Sequence, residues 1–404
     1  MASRRAVLEA GAAHEDLRGA PALASGIAAD LRVMVVGLVL AVAVSSPTWA
    51  LRTGAVVCAC VLVTSLGHLR LRRPDLLVVA FAGLALASTV WTVAPAQTSL
   101  GATNTAACAI VFLTVRAVVR RPRDLRVLSI SIVGGCLYGL AQLWFQNPLL
   151  RAVRLRYDVE AARVGVEGLN YNALAYAFAT GAAVLVLLWA AVGPSRRKVA
   201  ALTGAAVAIA FYVGILLNGT RGAVIAIVLL PIWLVVSHFR PRVAFHGLVG
   251  LAVVANIVVF LGIADGALRN DAVASARETG DLNGRLLVWP VARDAIWEQP
   301  LLGRGVDSLM TMSVNPVKTA AHNAWLDTAV GLGLVGLALF IAGIWFSLAE
   351  AADWPTDRRY VVVGAFVVVS VPIMLTGYWT ESPLFWGSLA LFSRLGVLDR
   401  PPSA

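Results

Sequence analysis

Charged residues are scarce in this sequence of 404 residues, of which only 14% are charged and 59% are hydrophobic. A soluble domain carries roughly a quarter charged residues, so the composition excludes a soluble globular protein. Cysteine is also scarce, and disulfide frameworks and cysteine metal sites at a water-exposed surface are not expected. The four cysteines all lie inside apolar runs: Cys58, Cys60, Cys108 and Cys136.

Long apolar runs, separated by short breaks that contain arginine or proline, fill most of the chain. A transmembrane helix needs about 20 predominantly apolar residues, and twelve such spans fit the sequence. The spans begin near Val33, Thr53, Leu76, Leu100, Val127, Ala173, Val199, Gly222, Val243, His322, Tyr360 and Leu384. The sequence therefore predicts an all-α integral membrane protein with about twelve transmembrane helices.

Basic residues favour one set of breaks between the spans. The breaks after even-numbered spans contain fourteen arginines and lysines, whereas the short breaks after odd-numbered spans contain two, Arg52 and Arg221. By the positive-inside rule, the first set is cytoplasmic and both termini lie inside. The net charge of +11 thus follows membrane topology, and nucleic acid is not expected as a partner.

The spans divide the chain into five predicted regions. Residues 1–31 form a cytoplasmic tail without the compact apolar stretch of a secretory signal. Spans 1–9 occupy residues 32–263, a large external loop occupies 264–321, spans 10–12 occupy 322–398, and residues 399–404 form a second cytoplasmic tail. Long loops commonly carry the chemistry of a membrane scaffold, so we expect the loop between spans 9 and 10 to be catalytic.

Ionisable residues are nearly absent from the predicted spans, although ion-coupled transporters usually need them near the bilayer midplane. Arg116 lies near a cytoplasmic end, where it can snorkel to the headgroups. Gly331-Leu332-Gly333-Leu334-Val335-Gly336 matches a dinucleotide-binding pattern but lies inside an apolar span, which favours close helix packing. No Walker loop or HExxH motif occurs, so we expect chemistry without ATP or metal.

Two polar places stand out at the outer membrane surface. Arg221 lies in the hinge Asn218-Gly219-Thr220-Arg221-Gly222, where it is either a headgroup anchor or a ligand-binding residue beside flexible glycines. Gly284-Arg285 precedes an amphipathic helix, which Pro290 should kink. In that helix arginine and tryptophan recur every four residues, as interfacial anchors or as an anion-binding stripe. The stripe consists of Arg285, Trp289, Arg293 and Trp297.

His322 is the third candidate, at the point where the long loop returns to the membrane. Among the five histidines it is the only one on the predicted external side. A lone histidine is often structural, but one at the mouth of a helix that faces an arginine-bearing loop is a credible general base. Asn323 follows directly, and Asp327, about one and a half turns deeper, is the next candidate for the base.

The order of these motifs resembles the O-antigen ligase and O-antigen polymerase family of bacterial envelope glycosyltransferases. The sequence contains Thr220-Arg221-Gly222, Gly284-Arg285, Pro300-Leu301-Leu302-Gly303-Arg304-Gly305 and His322-Asn323, in the order of the family pattern. Thr220 stands where the family usually has serine, which keeps the hydroxyl. A weaker likeness surrounds Arg163.

This resemblance implies a GT-C-like fold and a donor glycan on undecaprenyl pyrophosphate. The glycan would pass to a glycan or glycolipid acceptor hydroxyl outside the bacterial cytoplasmic membrane, with inversion and without a cofactor. Arg221 and Arg285 would bind the pyrophosphate and His322 would be the general base, all three lining one cavity open to the outer leaflet. Secondary donor or acceptor contacts would come from Arg163, Arg293, Arg304, Asn323 and Asp327.

The acceptor remains open at this point. A ligase transfers the glycan to a lipid core or surface polymer, and a polymerase transfers it to another lipid-linked repeat. The loop pattern favours a ligase. From another class, a transporter or flippase of lipid-linked sugars would use the same arginines without forming a bond, but the bare midplane disfavours it.

Overall fold

The computed structural model describes residues 27–68, 70–146, 166, 170–192, 194–263, 285–315, 318–350, 356–377 and 379–399. The segment around Arg163 and most of the first half of the long loop lie outside the described residues. Arg285 is described as the first residue of a helix, but its side chain is not.

The described chain is helical apart from turns and connecting segments. In chain order its helices are α1 (Ile27–Ser45), α2 (Pro47–Val63), α3 (Arg73–Ala87), α4 (Pro95–Val118), α5 (Pro122–Gln146), α6 (Tyr171–Ala191), α7 (Arg197–Asn218), α8 (Arg221–Phe239), α9 (Pro241–Phe260), α10 (Arg285–Glu298), α11 (Ala324–Ala349), α12 (Thr356–Thr376) and α13 (Pro383–Ser393). No strand occurs in the described ranges, which confirms the predicted all-α class.

Ten of these helices are long and apolar enough to cross a membrane. Two shorter helices also lie where the sequence predicts spans: α2, which is apolar, and α13, which has 11 residues. These two correspond to the predicted second and twelfth spans, and the total of twelve stays a prediction. α10 lies in the long loop, where the sequence predicts an amphipathic helix.

Proline begins five of the helices: α2, α4, α5, α9 and α13. Proline lacks the backbone N–H that would be unpaired at this position, and its fixed φ suits the first helical turn. Each proline therefore starts a new helix immediately after a short break, which keeps the connections between antiparallel helices short.

Arg116 joins four helix ends on one face of the bundle. Its guanidinium contacts both carboxylate oxygens of Asp75 in the first turn of α3, at 2.6 and 3.1 Å. It also lies 2.7 Å from Glu350 just after α11 and 2.6 Å from the Ser393 hydroxyl at the end of α13. The Arg116 side chain is 3% exposed, so it is a buried ion-paired group and not the snorkelling arginine that the sequence suggested.

We call this side of the bundle the arginine-rich face. The start of α9 lies there with the start of α12, because Arg242 is 3.4 Å from Asp357. The opposite side, where α7 ends and α11 begins, is the loop face. Among the ten membrane-length helices of the described chain, α4 and α6 are the most buried, whereas only 6% of α9 is buried and its outward side chains are largely apolar. Such a surface suits contact with lipid chains.

Candidate active site

The hinge between α7 and α8 turns at Gly219. Gly219 ends α7 in a left-handed conformation with φ of 77°, which glycine adopts without a steric cost. The Thr220 hydroxyl then points inward, 3.0 Å from the Asn172 side-chain oxygen at the start of α6 and in contact with the Asn218 side-chain oxygen. Thr220 and Asn218 are buried. The hinge is therefore fixed by buried polar contacts.

Arg221 is the first residue of α8, and its side chain is exposed. Among the described residues it has no hydrogen-bond or ion-pair partner. The N-terminus of a helix carries partial positive charge, so an arginine there is electrostatically unfavourable on its own. The same arrangement becomes favourable when an anion lies between the helix end and the guanidinium. This geometry fits an anion, which either a lipid headgroup or a substrate phosphate would supply.

Close packing holds this end of α8 against α12. A Cβ atom on Gly222 would collide with the Thr376 hydroxyl, so glycine is required for this contact. Thr376 in turn accepts a hydrogen bond through its carbonyl from the Tyr176 hydroxyl at 3.0 Å. The Tyr176 ring packs edge-on against Trp379 at 5.3 Å. The backbone that carries Arg221 thus rests on a rigid support.

His322 has a positive φ of 51°, which is rare for a residue with a Cβ atom. Its Nε2 lies 3.1 Å from the Thr319 hydroxyl, and its side chain is half-buried. Asn323 is the N-cap of α11, because its side-chain oxygen accepts from the backbone N–H groups of Trp325 and Leu326 at 3.0 and 3.1 Å.

The Asp327 carboxylate holds the His322 backbone in this conformation. It accepts from the N–H of Ala321 at 2.8 Å and from the N–H of Asn323 at 3.2 Å, and it also bonds to the N–H of His322. Three consecutive backbone donors therefore converge on one carboxylate. Asp327 has the geometry of a positioning residue, which the sequence treated as a substitute base or a substrate contact.

Helix α10 lies against this turn. The Trp289 indole N–H donates to the Ala321 carbonyl at 2.9 Å, so α10 is tied to the residue before His322. The Arg293 guanidinium instead lies at the end of α9, where Nη1 donates to the Val259 carbonyl at 3.3 Å. This carbonyl already accepts from the N–H of Gly262 at 3.2 Å, so Arg293 is a second donor to it, and its positive charge suits the negative end of the helix. Arg285 begins α10 four residues before Trp289.

Residues 300–305 pair with a break in α11. Gly333 has φ of 65° and ψ of −171°, which interrupts the helix and frees backbone groups. The N–H of Arg304 donates to the Val330 carbonyl at 2.9 Å, and the N–H of Leu334 donates to the Pro300 carbonyl at 2.7 Å. The glycines in this span therefore allow the backbone of residues 300–305 to pack against α11, whereas the sequence suggested that another helix packs there.

Arg304 also forms an ion pair through Nη2 with Glu298 at the end of α10. Its carbonyl accepts from the N–H of Val93, which precedes α4. Arg304 thus connects three parts of the loop face. A direct substrate contact by Arg304, Arg293, Asn323 or Asp327 stays a prediction.

Sequence reasoning gave no role to an acidic pair at the loop face. A Cβ atom on Gly101 of α4 would fall 2.5 Å from Asp307 Oδ2 and 2.9 Å from Glu381 Oε1, so both carboxylates lie against this glycine. Asn104 donates to Glu381 at 2.7 Å. Asp307 also shares a small recess with Asp327. In the sequence, Asp307 and Glu381 share only a position on the predicted external side of the membrane.

Arg221 and His322 both lie near the loop-face end of α12. Gly222 packs on Thr376, and Asn323 lines a groove together with Val371 of α12. No contact joins Arg221 directly to His322 in the described chain. The convergence of Arg221, Arg285 and His322 on one cavity stays a prediction. Among the described residues, no group of three or more histidine, cysteine or acidic side chains could hold a metal ion.

Part of the chain matches a known protein family. Residues 204–341 match the family described as O-antigen ligase. This range contains the α7–α8 hinge, the long loop and the start of α11, which carry the motifs described above. The match covers about a third of the chain and supports the resemblance to the O-antigen ligase and polymerase family. No curated protein matches the chain.

Proposed function

We propose that the protein is an O-antigen ligase-type glycosyltransferase that moves a glycan from undecaprenyl pyrophosphate to an acceptor hydroxyl. Both the ligase and the polymerase reaction are compatible with the family match. The observation that carries the proposal is that the matched range contains both an exposed arginine at a helix N-terminus, Arg221, and a histidine with a fixed backbone conformation at the start of another helix, His322.

The donor pyrophosphate would bind at the N-terminus of α8. Arg221 offers a planar guanidinium that can hold two phosphate oxygens at once, and the helix end adds positive potential. Arg285, at the start of α10, would supply a second guanidinium. As the bond to the sugar breaks, charge builds on the pyrophosphate oxygens, and these fixed cations stabilise it. The reaction would then need no metal.

His322 would accept the proton of the acceptor hydroxyl. The Thr319 hydroxyl lies 3.1 Å from Nε2, so this nitrogen is already oriented toward a hydroxyl group. The acceptor oxygen would bond to the anomeric carbon while the carbon–oxygen bond to pyrophosphate breaks, and the lipid pyrophosphate would leave. The proton would move to His322. A single displacement of this kind inverts the anomeric centre.

The loop face would be the outer face of the bacterial cytoplasmic membrane. The positive-inside rule supports this orientation, because the arginine-rich face carries most of the basic residues of the short breaks. Both termini would be cytoplasmic. Single cysteines treated from outside with a membrane-impermeant reagent test the orientation. A cysteine in place of Val314 should be labelled and one in place of Arg358 should be protected, since both positions are exposed on the protein surface.

The central experiment exchanges His322 for alanine. Removing a general base should reduce transfer by about a hundredfold to ten-thousandfold while donor binding survives. His238→Ala is the matched control, because His238 is an exposed histidine near the arginine-rich end of α8 and should leave transfer unchanged. Folded, inserted His322→Ala protein that transfers glycan at the parent rate would remove the base from the mechanism.

Arg221→Lys tests donor binding. Lysine keeps the positive charge but loses the two-pronged contact, so the affinity for the lipid-linked donor should fall by about tenfold. Arg52→Lys, at an exposed arginine of α2, is the control. Equal donor binding by Arg221→Lys and Arg52→Lys would show that Arg221 is only a headgroup anchor.

A deletion strain separates the activities. Accumulation of unligated lipid-linked polymer indicates a ligase, and loss of the chain-length distribution indicates a polymerase. Purified protein that forms no glycosidic bond, but moves lipid-linked sugar across reconstituted vesicles, would be a flippase.

A further inference from the structure

A groove of about 700 Å³ separates α9 from α11 and α12. Its walls are mostly aliphatic, with side chains such as Val249, Val253, Leu337 and Val367. It follows α9 from Phe245 to Leu261, a length of about 24 Å at ~1.5 Å per residue. The hydrocarbon core of a bilayer is about 30 Å thick. An apolar groove of this length within a membrane is suited to a lipid chain.

The end of the groove at the arginine-rich face is polar and aromatic. The guanidinium of Arg359 lies 4.8 Å above the Tyr360 ring, and the His246 ring lies 5.8 Å from the same ring. His246 Nδ1 lies 2.7 Å from the Arg242 carbonyl, so Nδ1 carries the hydrogen and donates. Nε2 is then left for another partner. Phe245 closes the cluster at 5.1 Å from Tyr360.

This end of the groove also has an excess of positive charge. Two acids on this face pair with other arginines, Asp357 with Arg242 and Glu350 with Arg116. Within the described chain, no carboxylate pairs with Arg359. A guanidinium beside an aromatic ring at the mouth of an apolar groove fits an anionic group attached to a hydrocarbon chain.

We propose that this groove binds an anionic phospholipid, with its phosphate at Arg359, His246 and Tyr360 and an acyl chain between α9 and α11. The headgroup would lie at the arginine-rich face, away from the proposed donor site at the loop face, whereas the other end of the groove reaches Asn323, next to His322. The proposal holds for either orientation of the protein in the membrane.

A lipid in this position would also support the loop face. α9 is the least buried of the membrane-length helices in the described chain, so protein contacts alone hold it weakly. Its far end accepts the Arg293 hydrogen bond from α10, and α10 contacts the turn that carries His322. An acyl chain that fills the groove would fix α9 against α11 and thereby steady α10.

The test measures thermal unfolding of delipidated protein in a neutral detergent while dioleoylphosphatidylglycerol is added. The anionic lipid should raise the unfolding midpoint, and dioleoylphosphatidylcholine should raise it much less. Arg359→Gln should weaken the apparent affinity for the anionic lipid by about tenfold, the usual effect of losing one charge-assisted hydrogen bond. Arg358→Gln is the matched control, because Arg358 is exposed and does not line the groove.

A second pair of variants tests the groove without altering charge. Ala252 lines the groove, whereas Val254 on the same helix is exposed and does not. Ala252→Phe should reduce stabilisation by the anionic lipid, and Val254→Phe should not. This pair also decides the matter should Arg359→Gln fail to fold.

Three outcomes would overturn the proposal. Equal stabilisation by the two phospholipids, or equal responses of Arg359→Gln and Arg358→Gln, would remove the headgroup site. Glycerol 3-phosphate that stabilises as well as the lipid would indicate a free-phosphate site. An uncharged polyprenol that stabilises the parent and Arg359→Gln alike, to the level of the anionic lipid, would make the groove a site for an isoprenoid tail.

Discussion

Asp327→Asn tests whether the carboxylate of Asp327 positions His322. The carboxylate accepts backbone hydrogen bonds from Ala321, His322 and Asn323, and His322 has φ of 51°. Asparagine has almost the same shape but keeps only one accepting oxygen. Its amide group would face a backbone N–H, so at least one hydrogen bond is lost and two donors oppose each other.

The magnitude follows from these contacts. A hydrogen bond to a charged group contributes about 1.5–3 kcal/mol. A residue with a Cβ atom in the left-handed region costs about 1–2 kcal/mol. The lost bond is therefore as large as the strain that it opposes, and the turn at His322 should relax. If the whole free energy of the lost hydrogen bond raises the barrier of the step that uses His322, transfer falls by about tenfold to a hundredfold.

The assay compares glycan transfer, donor binding and thermal unfolding of the parent and the variant. We expect transfer to fall, donor binding to persist and the shape of the pH–rate profile to remain. Asp357→Asn is the control, because it breaks an exposed ion pair that contributes at most about 1 kcal/mol. It should leave transfer unchanged.

Two results would refute this reasoning. A folded Asp327→Asn variant with the parent transfer rate would show that the carboxylate is not needed to hold His322. A loss as large as that of His322→Ala, with an altered pH–rate profile, would make Asp327 itself the proton acceptor.

Two further predictions concern the scaffold. Gly333→Ala should destabilise the protein by at least about 2 kcal/mol, because alanine suits neither the backbone angles nor the space there, whereas Gly83→Ala, with open space beside α3, should be neutral or stabilising. Thermal unfolding measures both, and equal effects would contradict the role given to Gly333. Arg116→Met should cost about 3–5 kcal/mol because Asp75 and Glu350 lose their buried cation, and adding Asp75→Asn should restore part of the loss. An additive double variant would show that Arg116 and Asp75 are not coupled.

The membrane class and the order of the candidate motifs were predictable from the sequence. Apolar runs of about 20 residues are a local signal, and the bilayer imposes their length. The hinge at Gly219 was predictable for a similar reason, since glycine marks a tight turn between two apolar runs. Helix α10 also lies where its periodicity predicts it.

The contacts between distant segments were not predictable in this way. Arg116 pairs with Asp75 and Glu350, which are far from it in the chain, and periodicity does not specify such partners. From the sequence alone, the glycines of α11 are equally compatible with packing against another helix and with packing against a loop. Only the backbone of residues 300–305 lying beside Gly333 separates these cases. The sequence suggested a chemical role for Asp327 because its backbone partners could not be predicted. They belong to a turn that no local sequence pattern indicates.

Unfavourable backbone angles and an unfavourable helix-end charge occur mainly at the loop face. Among the described residues other than glycine, those with positive φ are Asp307, Lys318 and His322, and all three lie in or next to the long loop. Arg221 opposes the dipole of its own helix at the same face. Such strain persists only where surrounding contacts enforce it, and the Asp327 carboxylate is one such contact. Since strain without a benefit would be relieved by simple substitutions, its concentration here supports the loop face as the site of chemistry.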